Sequence, residues 1–381
     1  MASQPDILWI VTTQWRAQAC GFAGDVNSRT PVLDALAADA RTINYAQAVT
    51  PHPFGPFARA AMLTGVPSPE NGVRDYWDAL PGGARTVAHA LGERGYATAF
   101  FGKWGVGERD RAAPLVGEAA ARVKVRREAR GGFGWWVGFE GGFLLNDPWL
   151  HGDGVENGAA RVTGYQSDVV CERAAEWLGR EAAGRPRFTV VSLESPHPPY
   201  DAPTPVGILR IQPHDVVPAA NVPRGGEVEA RARLELAGYY AHIAATDAAT
   251  GRLLTRVGAG TVVVFTSVHG DMHGAHGLFR KGWPHEESVR VPMLVRGAPG
   301  AGRAGVSDAA VSLVDLPAMA LAWSEGRGWD GARERAEISM PCVVDLPHQC
   351  DRVWRGWRSA TEKRVFNADG SEWVTDGVGQ G

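Results

Sequence analysis

Residues 261–296 read TVVVFTSVHGDMHGAHGLFRKGWPHEESVRVPMLVR. The β-branched apolar run over 261–266 predicts a buried strand, and a second short strand is expected over 291–295. Between them a polar loop carries His269, Asp271, His273, His276 and Lys281. Open α/β sheets place their reactive groups in the loops beyond the carboxyl ends of the strands, so chemistry is expected in this loop. Working outward, the apolar run 7–11 predicts a central strand that delivers Thr12, Thr13, Gln14 and Arg16 to the same edge. A third run, 188–193, leads into ESPHPPY and brings His197 there as well.

The remaining chain fits one large α/β core. With 381 residues, of which 44% are hydrophobic, we expect an α/β domain over 1–335 and a small subdomain over 336–381. A formal net charge of -3 gives no support to a nucleic-acid or anionic-membrane partner. No apolar run reaches bilayer length, and MASQPDILWIVTT passes into a strand without a basic leader, so a cytoplasmic location is expected. Cys20, Cys171, Cys342 and Cys350 form no Cys-x-x-Cys pair, which argues against a zinc site or a disulfide scaffold. TPVLDALAADA, from Thr30, predicts a helix with a threonine cap and Pro31 in first place. Further helices are expected over 163–183 and 227–257, with an irregular Pro-rich loop over 202–226. Strands over 353–357, 363–366 and 372–374 suggest a small antiparallel sheet.

Several of these stretches, in order, resemble the sulfatases of the alkaline phosphatase superfamily. The segment 261–296 is similar to their strand followed by Thr-Ser-Asp-His-Gly, Gly-Asp-His-Gly, Lys-Gly, Glu-Glu-Ser and Arg-Val-Pro. AVTPHPFGPFARAAMLTG (48–65) resembles the Cys-x-Pro-Ser-Arg and Ala-Ala-Leu-Leu-Thr-Gly segment that carries the nucleophile. Gly-Lys-Trp at 102–104, GGFGWWVGFEGGF (131–143), Ser-Pro-His-Pro-Pro-Tyr at 195–200, YYAHIAATDAATGRLL and VSLVDLPAMALAW extend the likeness over nearly the whole chain. The resemblance implies a mixed, mostly parallel central sheet with helices on both faces, plus a small C-terminal antiparallel sheet.

Carried over position by position, the resemblance also implies what each site residue does. The four metal-binding places hold Thr13, Gln14, Val268 and His269, a poor donor set for a hard cation, so neither Ca²⁺ nor Mg²⁺ nor any other cofactor is expected. Gly55 stands at the nucleophile position. Lys103, His197 and His269 are the expected catalytic residues, while Arg59, Lys281, Thr12, Thr13 and His276 are expected to bind an anion. Taken singly, each has a plainer use: Arg59 can anchor a helix, Lys103 can cover apolar surface, and His197 can bond backbone in a turn. Trp135 and Trp136 suit either a pocket wall or the core, His273 and His285 are expected to face solvent, and His52 is a candidate neighbour of Gly55. From this pattern we expect a metal-independent enzyme without sulfatase activity. Its substrate would be a sulfated, phosphorylated or carboxylated small molecule, handled by elimination, cyclisation or condensation in biosynthesis. The alternatives are an inactive binding or scaffolding protein and, ranked last for want of a nucleophile, a sulfate or phosphate ester hydrolase.

Overall fold

The computed structural model describes residues 4–180, 184–300 and 304–377. A ten-stranded sheet runs, from one edge to the other, through Gly305–Ser307, Thr42–Tyr45, Met293–Arg296, Val262–Ser267, Ile7–Thr12, Arg187–Ser192, Ala97–Lys103, Trp135–Phe139, Trp149–Gly152 and Ala160–Arg161. Its centre is parallel: Ile7–Thr12 pairs in parallel with both Arg187–Ser192 and Val262–Ser267. Antiparallel pairings appear further out, at Met293–Arg296 against Val262–Ser267 and at Trp149–Gly152 against Trp135–Phe139. The expected strands over 7–11, 188–193, 261–266 and 291–295 are thus present, with ends displaced by a residue or two, as strand termini commonly are.

Side-chain alternation along Ile7–Thr12 divides the core in two. Ile7, Trp9 and Val11 face a layer with Phe57, Leu63, Val87 and Leu316, whereas Leu8 and Ile10 face Leu33, Val169, Leu236 and Ile243. Helices therefore cover both faces, which explains why the central strands read as uninterrupted apolar runs. The long helix spans Glu227–Leu254, and the helix expected over 163–183 spans Gln166–Leu178; positions 181–183 lie outside the described residues. No described helix is long and apolar enough to cross a membrane.

One local expectation is corrected. Pro31 does open its helix, but Thr30 makes no side-chain cap. The amides of Val32 and Leu33 are instead taken by the carboxylate of Asp247, at 3.0 and 2.9 Å, from the long helix. Thr30 Oγ1 is used elsewhere, accepting from the Gly21 amide and donating to Asp34.

A four-stranded antiparallel sheet, Ala336–Met340, Trp354–Arg358, Glu362–Asn367 and Glu372–Gly377, follows the large one. It includes a first strand that the sequence reading missed. Trp354 Nε1 donates to the Gly282 carbonyl at 2.8 Å and the Ser339 amide to Pro51 at 2.8 Å, so this sheet props the two loops that carry Lys281 and Gly55.

Candidate active site

The carboxyl ends of the central strands converge on one cavity of about 550 Å³, lined at its floor by Thr13, Gly55, Arg59, Lys103, His197, His269 and Lys281. Each comes from a different place in the chain. Thr13 follows the strand Ile7–Thr12. Gly55 and Arg59 lie in the first turns of the helix Gly55–Thr64, which begins with Gly-Pro. Lys103 ends the strand Ala97–Lys103, His197 follows Arg187–Ser192, and His269 follows Val262–Ser267. Gly270 lets the last of these loops turn: a Cβ there would lie 1.9 Å from the Glu287 carbonyl oxygen.

Hydrogen bonds fix these side chains in a connected array. Arg59 Nη2 donates to Thr13 Oγ1 at 2.7 Å, and that hydroxyl donates to the Leu193 carbonyl at 2.8 Å. Lys281 Nζ donates to Gln14 Oε1 at 2.7 Å and lies 3.2 Å from His197 Nε2. Gln14, in a left-handed conformation, passes its amide to Asp271, which also accepts from Tyr200 Oη at 2.6 Å. His197 Nδ1 faces the Pro198 carbonyl and His269 Nδ1 the Gly270 carbonyl, both at 2.9 Å. Their Nε2 atoms are thereby turned the other way, and that of His269 is buried without a partner among the described residues.

Glu194 is the residue that the sequence reading overlooked. Fully buried, it accepts from Lys103 Nζ at 2.6 Å and lies 3.7 Å from His197 Nδ1. It gives the cation cluster a counter-charge, so the floor is less repulsive than expected from Arg59, Lys103 and Lys281 alone. The signal was available: an acid three residues before His197, immediately after a strand.

Burial nevertheless outweighs that counter-charge. It lowers the Lys103 ammonium to about 8 against the pull of Glu194, Lys281 to about 7 against the pull of Asp271, and Arg59 to about 10. Burial, then Lys281, holds His197 and His269 far below the usual imidazole range, so both rings are neutral. For Asp271 burial pulls upward, yet His273 and Arg280 prevail and hold its carboxyl below the usual range. The array is therefore short of negative charge and contains two imidazoles that stay neutral.

Other expected site residues lie elsewhere. Thr12 is buried, its hydroxyl donating to the Thr266 carbonyl at 3.2 Å, because the last strand residue still points into the sheet. His276 is exposed, with its Nε2 3.1 Å from Asn221 Nδ2 and its ring stacked on His285 at 4.2 Å. His273, expected in solvent, is buried between Tyr200 and Tyr239. His52 is tied to structure: Nε2 accepts from the Ser68 amide at 2.8 Å and Nδ1 faces Ser339. Trp136 is wholly buried beside Phe100 in the core, and neither it nor Trp135 lines the cavity. Val268 is packed in the core as well.

Comparison with known proteins then decides the lineage. A sulfatase family profile matches residues 5–326. The chain belongs to the sulfatase family. It is 35% identical over 306 residues to the ulvan-active sulfatase of Formosa agariphila, covering 77% of this chain and 56% of that protein, so it spans little more than half of that relative's length. Among solved structures, the putative sulfatase YidJ from Bacteroides fragilis superposes with a TM-score of 0.83 at 22% identity, covering 98% of this chain and 88% of that one. A second, solved with its substrate D-glucosamine-2-N,6-O-disulfate, gives 0.78 at 20% identity over 98% of this chain and 91% of that one. These likenesses confirm the mixed sheet with its C-terminal antiparallel companion. They also correct the functional expectation. Kinship with the ulvan-active sulfatase at 35% identity overturns the expectation of an enzyme diverted to elimination, cyclisation or condensation and stripped of sulfatase activity.

Proposed function

We propose that this chain hydrolyses sulfate monoesters on the floor of the cavity. The observation that carries the proposal is the convergence of Arg59, Lys103 and Lys281 with His197 and His269 around the N-terminal turn of the helix that starts at Gly55. The three cations, with the helix amides, suit the oxygens of a sulfuryl group and the charge that grows on them as the ester bond lengthens.

The family likeness implies a side-chain nucleophile and a dication, and neither is matched by the residues here. Gly55 has no side-chain oxygen or sulfur to attack with. A Cβ at Gly55 would sit 2.9 Å from Arg59 Nη1 and 3.9 Å from His269 Nε2, so the space a nucleophile would fill borders the unpartnered imidazole nitrogen. A water seated there is the attacking group in our reading. His269 Nε2 takes its proton as the oxygen bonds to sulfur, the ester's negative charge offsetting the burial that disfavours the imidazolium; the ester S–O bond breaks, and the Lys281 ammonium gives a proton to the departing alkoxide. As for a dication, Thr13 and Gln14 are already committed to Arg59 and Lys281, Val268 offers no donor, and the described residues hold no group of three or more His, Cys, Asp or Glu placed to bind a metal. That donor set does not fit a hard cation, and no step is routed through one.

The direct test is sulfate release from sulfate monoesters, followed by ion chromatography, alongside calorimetric titration with Ca²⁺ and Mg²⁺. We expect release that disappears in His269→Ala, and no stoichiometric metal binding. Saturable ester binding with no release at all would overturn the hydrolase reading, and a tight one-to-one Ca²⁺ isotherm would overturn the reading of the donor set.

A further inference from the structure

Two cations of the floor rest on uncharged seats. Arg59 Nη2 donates to Thr13 Oγ1 at 2.7 Å and Lys281 Nζ to Gln14 Oε1 at 2.7 Å, whereas Lys103 Nζ is paired with the carboxylate of Glu194 at 2.6 Å. A carboxylate seat fixes a cation and cancels much of its charge. A hydroxyl or amide oxygen fixes it and leaves the charge to act on whatever enters the cavity. Thr13 and Gln14 stand at two of the four places where the family likeness implies dication ligands, and both side-chain oxygens are turned to these cations instead.

Each seat is itself held. Thr13 Oγ1 gives its proton to the Leu193 carbonyl at 2.8 Å, which leaves its lone pairs for the guanidinium. Gln14 stands at φ 67°, a left-handed backbone that a residue with a Cβ adopts at a cost, and Tyr239 Oη donates to its carbonyl at 3.0 Å. Its amide has one workable orientation: Nε2 faces Asp271 Oδ2, which only accepts, and Oε1 faces the Lys281 ammonium, which only donates. Asp271 is fixed in turn by Tyr200 Oη at 2.6 Å and by the amides of His273 and Arg280 at 3.1 and 3.0 Å. Arg59 also has room made for it. A Cβ at Gly55 would stand 2.9 Å from Nη1 and one at Gly105 3.3 Å from Nε, so the guanidinium lies in a slot between two glycines, its Nε buried and unpartnered among the described residues.

Resting on the sulfate-ester reading, we infer that Arg59 and Lys281 together take the place of the dication that the family likeness implies, and that Thr13 and Gln14 are the positioning residues that aim them. The two positive charges, held by neutral oxygens, are offered to the sulfuryl group. Arg59 Nη1 borders the proposed water position beside Gly55, and Lys281 Nζ, 3.2 Å from His197 Nε2, serves the departing oxygen.

The test uses the full chain, follows sulfate release from 4-nitrophenyl sulfate and D-glucose 6-sulfate, and titrates inorganic sulfate by calorimetry. Thr13→Val keeps the shape and removes the hydroxyl; Gln14→Asn suits the left-handed backbone but withdraws the amide by one methylene. Each should lower kcat about 10- to 100-fold and weaken inorganic sulfate about tenfold. Thr13→Ser, which keeps the hydroxyl and loses the methyl, should bring kcat back to within about threefold of the unaltered protein. A role in packing alone predicts the reverse order, with Val tolerated and Ser damaging, and that result would overturn the inference. So would unaltered kcat and sulfate affinity in Thr13→Val and Gln14→Asn, or turnover of the unaltered protein that rises with added Ca²⁺ or Mg²⁺; in each case the hydrolase reading stands. No release from either ester, with sulfate affinity that still follows Thr13 and Gln14, sinks the hydrolase reading and leaves the two seats in place.

Discussion

Two clusters of buried charge in this molecule are built to opposite effect. Where the C-terminal sheet meets the large domain, the carboxylate of Glu286 is reached by Arg290 at 3.4 Å, Arg358 at 3.3 Å and Lys363 at 3.1 Å. Burial would raise its pKa, but Lys363, Arg358 and Arg290 outweigh burial and lower it. In the cavity the balance tips the other way: Glu194 does hold Lys103, yet burial still lowers Lys103, Lys281 and Arg59. At the junction the cations surround their anion and no residue of the cluster lines the cavity; on the floor the cations face an opening. The first arrangement ties the C-terminal sheet to the short helix that starts at Glu286, and the second is left wanting an oxyanion.

That contrast can be broken experimentally. Among the charged residues of the two clusters the largest effect should come from Lys103→Ala, which removes a donor to the sulfuryl group and should lower kcat/KM on a sulfate ester about 10²- to 10³-fold. Arg358→Met at the junction should do the opposite, costing about 3 kcal/mol in chemical denaturation while turnover stays within about twofold. Similar losses of turnover in both variants would erase the distinction between the clusters.

Glu194→Gln sharpens it further. Removing the buried acid leaves Lys103 unpaired, so stability without ligand should fall by about 3 kcal/mol, and added sulfate should restore more of it than in the unaltered protein. Denaturation curves with and without sulfate would decide this; equal stabilisation of the two proteins would show that Glu194 is not the floor's counter-charge.

Proton coupling gives the next effect. With Lys281 lowered to about 7 and Lys103 to about 8, the free site loses protons as pH rises through that range. Sulfate binding draws them back, so affinity should be highest below pH 7 and fall by up to about tenfold per unit above it, with proton uptake visible by calorimetry in buffers of different ionisation enthalpy. The sign for stability is reversed: because unfolded lysine titrates near about 10.4, the unliganded protein binds fewer protons than the unfolded chain and should gain stability as pH rises from about 7 to about 10. Sulfate affinity that does not change between pH 6 and 9 would contradict the lowered ammonium groups. The smallest effect is expected of Gly55→Ala, whose methyl would crowd Arg59 Nη1 and the proposed water position; turnover should drop about tenfold with the fold intact.

What the sequence could yield was whatever is written locally. Apolar runs at 7–11, 188–193 and 261–266 specify buried parallel strands, and their carboxyl ends already name Thr13, His197 and His269, because strand direction alone determines which loop faces the site. It could not separate Thr13 from Thr12 or Lys281 from His276, since a single residue step or one left-handed turn decides whether a side chain enters the cavity. Tertiary structure alone decided that Asp247 caps a helix more than two hundred residues earlier, that Glu194 neutralises Lys103, and that His273 is shut between tyrosines. Charge balance and cavity polarity are sums over residues distant in the chain, and those sums are formed only when the chain folds.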